Sequence, residues 1–202
     1  LANTDPPISS LVAKGYLKKR GITKSDILKW KIGYCSTGDF AGRIIIPSFD
    51  LDGNINYFIA RSYNGSWRKF MNPTVSRTKV VFNELVVDFE SPVTLVEGVF
   101  DAIVAGENSI PLLGSTLRED SRLFKKIVEN NSIVYMALDP DASKKTDSIV
   151  KKLLHYGVKV FIIDVTGYDD VGEMSKGQFN KRRNEASPTD SLSLLYNRVL
   201  GE

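Results

Sequence analysis

The sequence predicts an α+β segment over residues 1–91, then an α/β segment with a mostly parallel sheet over 92–180, then a linker and helix over 181–202. Three observations predict it. Before Pro92, small helical stretches precede two β-rich runs joined by Asp52-Gly53. After Pro92, strand and helix patterns alternate. Runs such as "IVYMALD" and "VKVFIID" are apolar almost throughout, as strands buried on both faces of a parallel sheet are.

Apolar residues recur at helical spacing from Ile8 to Lys19, and Thr23 with Asp26 forms a capping-box pattern that opens a short helix through Trp30. "RIIIPSFDLDGNINYFIARSY", residues 43–63, reads as a hairpin, because Asp-Gly accepts the backbone angles of a tight turn. "KVVFN" adds a strand near residue 80. Beyond Pro92 the expected order is strand 93–97, a helix from 100, strand 110–113, helix 118–129, strand 133–139, helix 144–156 and strand 158–164. Residues 181–183 read as a polar link and 187–200 as a C-terminal helix.

The 202 residues, 42% hydrophobic, suffice for one large domain or two small ones sharing a core. No apolar run approaches the roughly 20 residues of a membrane span, so no membrane partner and a cytoplasmic setting are expected. The single cysteine, Cys35, rules out a disulfide framework or a cysteine zinc ribbon, and no zinc is expected. A chain that opens at Leu1 is expected to be a fragment with neighbouring domains elsewhere.

The net charge of +3 is small, but its distribution is uneven. Between Asp52 and Glu84 there is no acidic residue, and Arg61, Arg68, Lys69, Arg77 and Lys79 share that window with Tyr63, Trp67 and Phe70. Those aromatics either offer stacking faces to unpaired bases or pack the hairpin. The carboxylates gather later, at the ends of the α/β strands, where reactive groups collect in open sheets. Glu97 ends one strand and Asp101 follows beside a helix start; "ALDPDAS" sets Asp139 and Asp141 after another; "GYDDVGEM" supplies Asp169, Asp170 and Glu173. In extended backbone residues i and i+2 project to one side, so Asp139 and Asp141 are expected to face one point. Clustered carboxylates raise one another's pKa unless a cation intervenes, and an oxygen-only set suits Mg²⁺ or Mn²⁺.

"LVEGVFDAIVA", "PLLGST", "ALDPDAS" and "YDDVGEM" together resemble the TOPRIM domain of bacterial-type primases, type IA and II topoisomerases and certain nucleases. Upstream, "YLKKRGITKSDILKWKIGY", "GRIIIPSFDLDGNINYFIARSY", "RKFMNP" and "VFNE" resemble, in the same order, the segment preceding TOPRIM in DnaG-type primases. The whole resembles the RNA polymerase core of bacteriophage DnaG-type primases. That resemblance implies a Rossmann-like TOPRIM domain over 92–180, following a basic, template-binding subdomain. It assigns Glu97 to the general acid/base position, Asp101 to the acid of the first motif, and Asp139 and Asp141 to the metal pair; Asp170 is expected to hold metal with that pair, and Glu97 either handles the proton or completes a metal shell. Arg43, Arg61, Lys69 and Asn72 fall at positions associated with template or nucleotide binding. In two places the chain departs from the pattern. Val171 and Gly172 follow Asp170 where a second acid is usual, and Asn83 and Glu84 replace a usual basic residue.

The activity implied is synthesis of short RNA primers on single-stranded DNA from ribonucleoside triphosphates, with two or more Mg²⁺ or Mn²⁺ ions. A replicative helicase is implied as a partner through regions outside this chain, as is a zinc-binding domain, and the setting is the host cytoplasm. The same carboxylates also suit a TOPRIM nuclease, and the fold alone suits a noncatalytic single-strand-binding module. A topoisomerase would need a tyrosine-bearing strand-passage domain that a chain of this size does not hold.

Overall fold

The computed structural model describes residues 8–114 and 116–190. The chain divides into two units, Leu1–Val75 and Ser76–Glu202. This boundary precedes the change of rhythm at Pro92. The reason lies in Val81, which is fully buried in the hydrophobic cluster of the second unit. "KVVFN" is accordingly not a strand. A 3-10 turn, Arg77–Lys79, leads into Val80, Val81 and Phe82, which are buried without sheet pairing, and Asn83 at φ 55° ends any extension.

The first unit opens with α1 (Ile8–Lys19) and α2 (Lys24–Lys29). The capping box expected for α2 is present, with Thr23 accepting from the Asp26 amide and Asp26 accepting from the Thr23 amide. Strands β1 (Gly33–Cys35), β2 (Arg43–Phe49) and β3 (Ile55–Ser62) form an antiparallel sheet in that order. Asp50 shapes the β2–β3 turn by accepting from the amides of Asp52 and Asn54, and Gly53 supplies a φ of 80°. Pro47 lies within the central strand, yet β1 reaches only as far as Ile45, so no ladder bond is lost there. Alternation along β2 buries Ile44 and Ile46 completely. Tyr16 links α1 to β3 by accepting from Arg61 Nε at 2.9 Å.

The second unit holds a five-stranded sheet in the order β5-β4-β6-β7-β8. Strands β4 (Val93–Val96), β5 (Ser109–Pro111), β6 (Val134–Ala137) and β7 (Val160–Ile162) pair in parallel, and the short edge strand β8 (Pro188–Thr189) runs antiparallel to β7. Helices α4 (Arg122–Glu129) and α5 (Ser143–His155) bring Phe124, Ile127, Val150 and Leu153 into one cluster with Val93, Leu95, Val134 and Met136. Thr94 and Val96 are the alternate residues of β4 and lie outside that cluster. Helix α3 (Val99–Ala105) packs with β4, β5, α6 (Lys176–Glu185) and the 3-10 turn Val171–Glu173.

Residues 181–183 therefore belong to α6 and form no link. A capping box between Ser175 and Gln178 starts this helix, and Phe179 anchors it, fully buried. The expected C-terminal helix over 187–200 begins with a segment that the structure shows as β8, and residues from 191 on lie outside the described residues. Among the described residues no helix is long and apolar enough to cross a membrane.

Candidate active site

After β4 the chain moves through α3 to β5 on one flank, and it later returns as β6 on the other flank of β4. Loops leaving these neighbouring strands diverge, and the crevice beyond their carboxyl ends is where open α/β sheets bind ligands. Glu97 follows β4 directly and is half-buried; Asp139 follows β6 after Leu138. Val96 and Ala137 are register partners, so the two acids leave the sheet from adjacent positions.

Asp139 caps a 3-10 turn, Pro140–Ala142, with Pro140 opening the turn. This overturns the expectation that 139–141 is extended. Proline's fixed φ starts a helical turn immediately, and Asp141 is left exposed while Asp139 is half-buried. Asp139 and Asp141 also line a cleft of about 530 Å³ beyond β6 and β7, with Thr166, Gly167, Tyr168 and Asp169 on its other wall.

Asp101 is 7% exposed, and both of its oxygens are engaged. Oδ2 accepts from the Gly98 amide at 2.8 Å and Oδ1 from the Gly172 amide at 2.9 Å. The first bond closes the start of α3; the second ties α3 to the turn that Asp170 caps. Asp101 is therefore a brace between elements. Asp170 and Asp139 are different, since each keeps a buried Oδ1 with no hydrogen-bond partner. An unpartnered buried carboxylate oxygen is costly, and it marks a place shaped for something else.

The electrostatics agree with that geometry. Burial, followed by the charges of Asp101, Glu97, Asp170 and Asp141, pushes the Asp139 carboxyl up to about 7. Burial, then Asp170, raises Asp101 to about 6 against the lowering effect of its two amide bonds. Among the described residues no three acidic, histidine or cysteine side chains are drawn together as a ready ligand set. The donor chemistry nevertheless fits a hard divalent cation, with carboxylate oxygens alone and orphaned atoms on Asp139 and Asp170.

In the first unit the expected template residues divide. Arg43 is buried, and its Nη1 donates to the Arg68 carbonyl at 2.9 Å, so it holds the loop after β3 from beneath. Arg61 lies 4.7 Å over the Phe70 ring while donating to Tyr16. Asn72 accepts from the Ala60 amide at 3.3 Å. Lys69 is exposed, and Trp67 is 92% exposed, which answers the question about the aromatics for that residue alone: it does not pack. Glu84, at the second departure, is buried and paired with Arg122 at 2.8 Å. Sequence reasoning missed Gly172, whose amide and lack of side chain both matter at Asp101; only its place after Asp170 hinted at it.

No family model matches the chain. A DNA primase of Thermotoga maritima is 25% identical over 207 residues, covering 80% of this chain and 37% of that protein. A DNA primase of Staphylococcus aureus is 26% identical over 188 residues, covering 83% of this chain and 31% of that protein. The chain thus spans about a third of the curated relatives it matches. The structure of a DnaG primase catalytic domain bound to single-stranded DNA superimposes with a TM-score of 0.77 at 16% identity, over 98% of this chain and 77% of that one. The chain has the fold of the DnaG primase catalytic core. Within this fold, the antiparallel sheet corresponds to the expected α+β part and the five-stranded sheet to the expected α/β part.

Proposed function

We propose that this chain carries the nucleotidyl-transfer activity of a DNA primase, making short RNA primers on single-stranded DNA from ribonucleoside triphosphates. The observation that carries the reading is that Glu97 and Asp139 leave neighbouring strand ends, β4 and β6, with orphaned oxygens on Asp139 and Asp170, in a primase-core fold. Asp139, Asp141 and Asp170 would hold Mg²⁺ or Mn²⁺. When bound, such ions neutralise the charge that develops on attacking and leaving oxygens. Glu97, half-buried at the strand end, takes the proton from the attacking 3′-hydroxyl. Asp101 keeps α3 and the Asp170 turn in register. Lys69 meets template phosphates, Trp67 stacks on an unpaired base, and Arg61 and Asn72 keep that surface in shape, with Arg43 supporting the loop below. A replicative helicase would be met through regions outside this chain.

The test is an incubation of the protein with single-stranded DNA, labelled ribonucleotides and Mg²⁺ or Mn²⁺. Incorporation of label into short RNA supports the proposal. Cleavage of the DNA without incorporation would assign the carboxylates to a nuclease instead.

A further inference from the structure

Gly172 stands where the resemblance leads one to expect a second acid, and the structure gives it two contacts with the site. Its amide donates to Asp101 Oδ1 at 2.9 Å. A Cβ built on it would stand 3.0 Å from Asp101 Oδ1 and 3.0 Å from Asp170 Oδ1, tighter than ordinary carbon–oxygen contact. Position 172 is thus the point where the brace and a cation-holding carboxylate approach the same backbone. We infer that Gly172 is a positioning residue for the divalent-cation site, setting the place of Asp170 through its bond to Asp101 and its lack of a side chain.

Asp101 has little freedom to yield, because its other oxygen is fixed by the Gly98 amide and the residue is buried. Asp170 has no such restraint on its Oδ1. A methyl group at 172 therefore displaces Asp170 rather than Asp101, and the displaced atom is one of the orphaned oxygens that would hold the cation. The conformation is otherwise undemanding: Gly172 is absent from the residues with positive φ, so alanine brings no backbone strain, only the contact. Gly177 in α6 provides a matched comparison, since a Cβ there meets nothing within 4 Å.

The inference rests on the metal-dependent reading above, and the experiment separates the two. Mn²⁺ binding to the wild-type chain, Gly172→Ala and Gly177→Ala is measured by electron paramagnetic resonance, alongside the melting temperature without metal. Gly172→Ala is expected to melt like the wild type while its Mn²⁺ dissociation constant rises by about 10–100-fold, as when a group orienting a ligand is lost. Gly177→Ala should bind as the wild type does. Equal Mn²⁺ affinity in wild type and Gly172→Ala overturns the inference and leaves the metal reading intact, whereas no Mn²⁺ binding by the wild type overturns both. Amide exchange in the metal-free wild type gives a second measurement that needs no variant. A protected Gly172 amide is expected, and exchange at the rate of an open loop overturns the brace even if Gly172→Ala does not fold.

Discussion

In the antiparallel sheet Arg43 and Arg61 spend their guanidinium groups on a backbone carbonyl, a tyrosine hydroxyl and an aromatic face, whereas in the parallel sheet Asp139 and Asp170 each keep a buried oxygen with no partner. The contrast is between charge used by the fold and charge left available. A satisfied arginine contributes to holding its own sheet together. An unsatisfied carboxylate opposes folding of the metal-free chain, and it persists where the surrounding strands over-determine its place. The same sequence thus has charges that stabilise and charges that wait for a ligand. Their positions were equally visible, but their roles were not.

The largest effect that would break this contrast is at the carboxylates. Asp139→Asn and Asp141→Asn are each expected to bring primer synthesis below detection while the chain stays folded; ordinary yields at normal Mg²⁺ in both variants would remove these residues from the metal set. Glu97→Gln comes next, with turnover falling by at least about 10²-fold, the usual loss for a general acid/base. If excess Mg²⁺ restores its turnover, Glu97 is a ligand and the proton goes elsewhere.

A third, smaller effect is on stability. Folding raises Asp139 to about 7 and Asp101 to about 6, above the roughly 3.9 of an unfolded aspartate. A carboxyl that binds its proton more tightly when folded favours the folded state below the unfolded value, and that advantage disappears as pH rises through the folded pKa. The metal-free protein should therefore lose melting temperature between about pH 4 and about pH 7. Mg²⁺ should restore most of it above that range, and should restore little in Asp139→Asn. A melting temperature independent of pH without metal would mean that neither burial nor the neighbouring acids raise these carboxyls.

The smallest effects belong to the first unit. Lys69→Ala should lower the salt dependence of single-stranded DNA binding by roughly 0.7 in slope, one phosphate contact, without changing the melting temperature. Trp67→Ala should weaken binding by about 1–3 kcal/mol per base it stacks, again at unchanged stability, because the ring is 92% exposed and packs nothing. Arg61→Ala should do both, weakening binding and lowering the melting temperature, since its guanidinium also serves Tyr16 and Phe70. An Arg61 variant as stable as the wild type would blur the distinction between the two sheets.

How much of this the sequence disclosed follows from the range of each interaction. The α3 to β7 succession was legible because apolar runs and caps are local signals, and the β2–β3 hairpin because Asp52-Gly53 specifies its own turn. Val80, Val81 and Phe82 misled, since a run of apolar residues says that a segment is buried without saying that it pairs. Helix α6 was missed although Ser175 and Gln178 spelled its cap; its composition is so polar that Phe179 alone marks a buried face. At the site, the acids at strand ends were legible. The brace from Asp101 to Gly172 was not, because it joins residues 71 apart in the chain through a backbone amide that any residue type possesses.

Proline occupies both outer strands of the five-stranded sheet, as Pro111 in β5 and Pro188 in β8. Each removes a donor from a margin that would otherwise accept another strand, and each margin is only a few residues long. Such borders offer an added strand fewer hydrogen bonds than an ordinary edge would. Only the finished chain has both borders, because Pro188 is made after every other strand of the sheet; until then β7 is left without its antiparallel neighbour and its edge stands open.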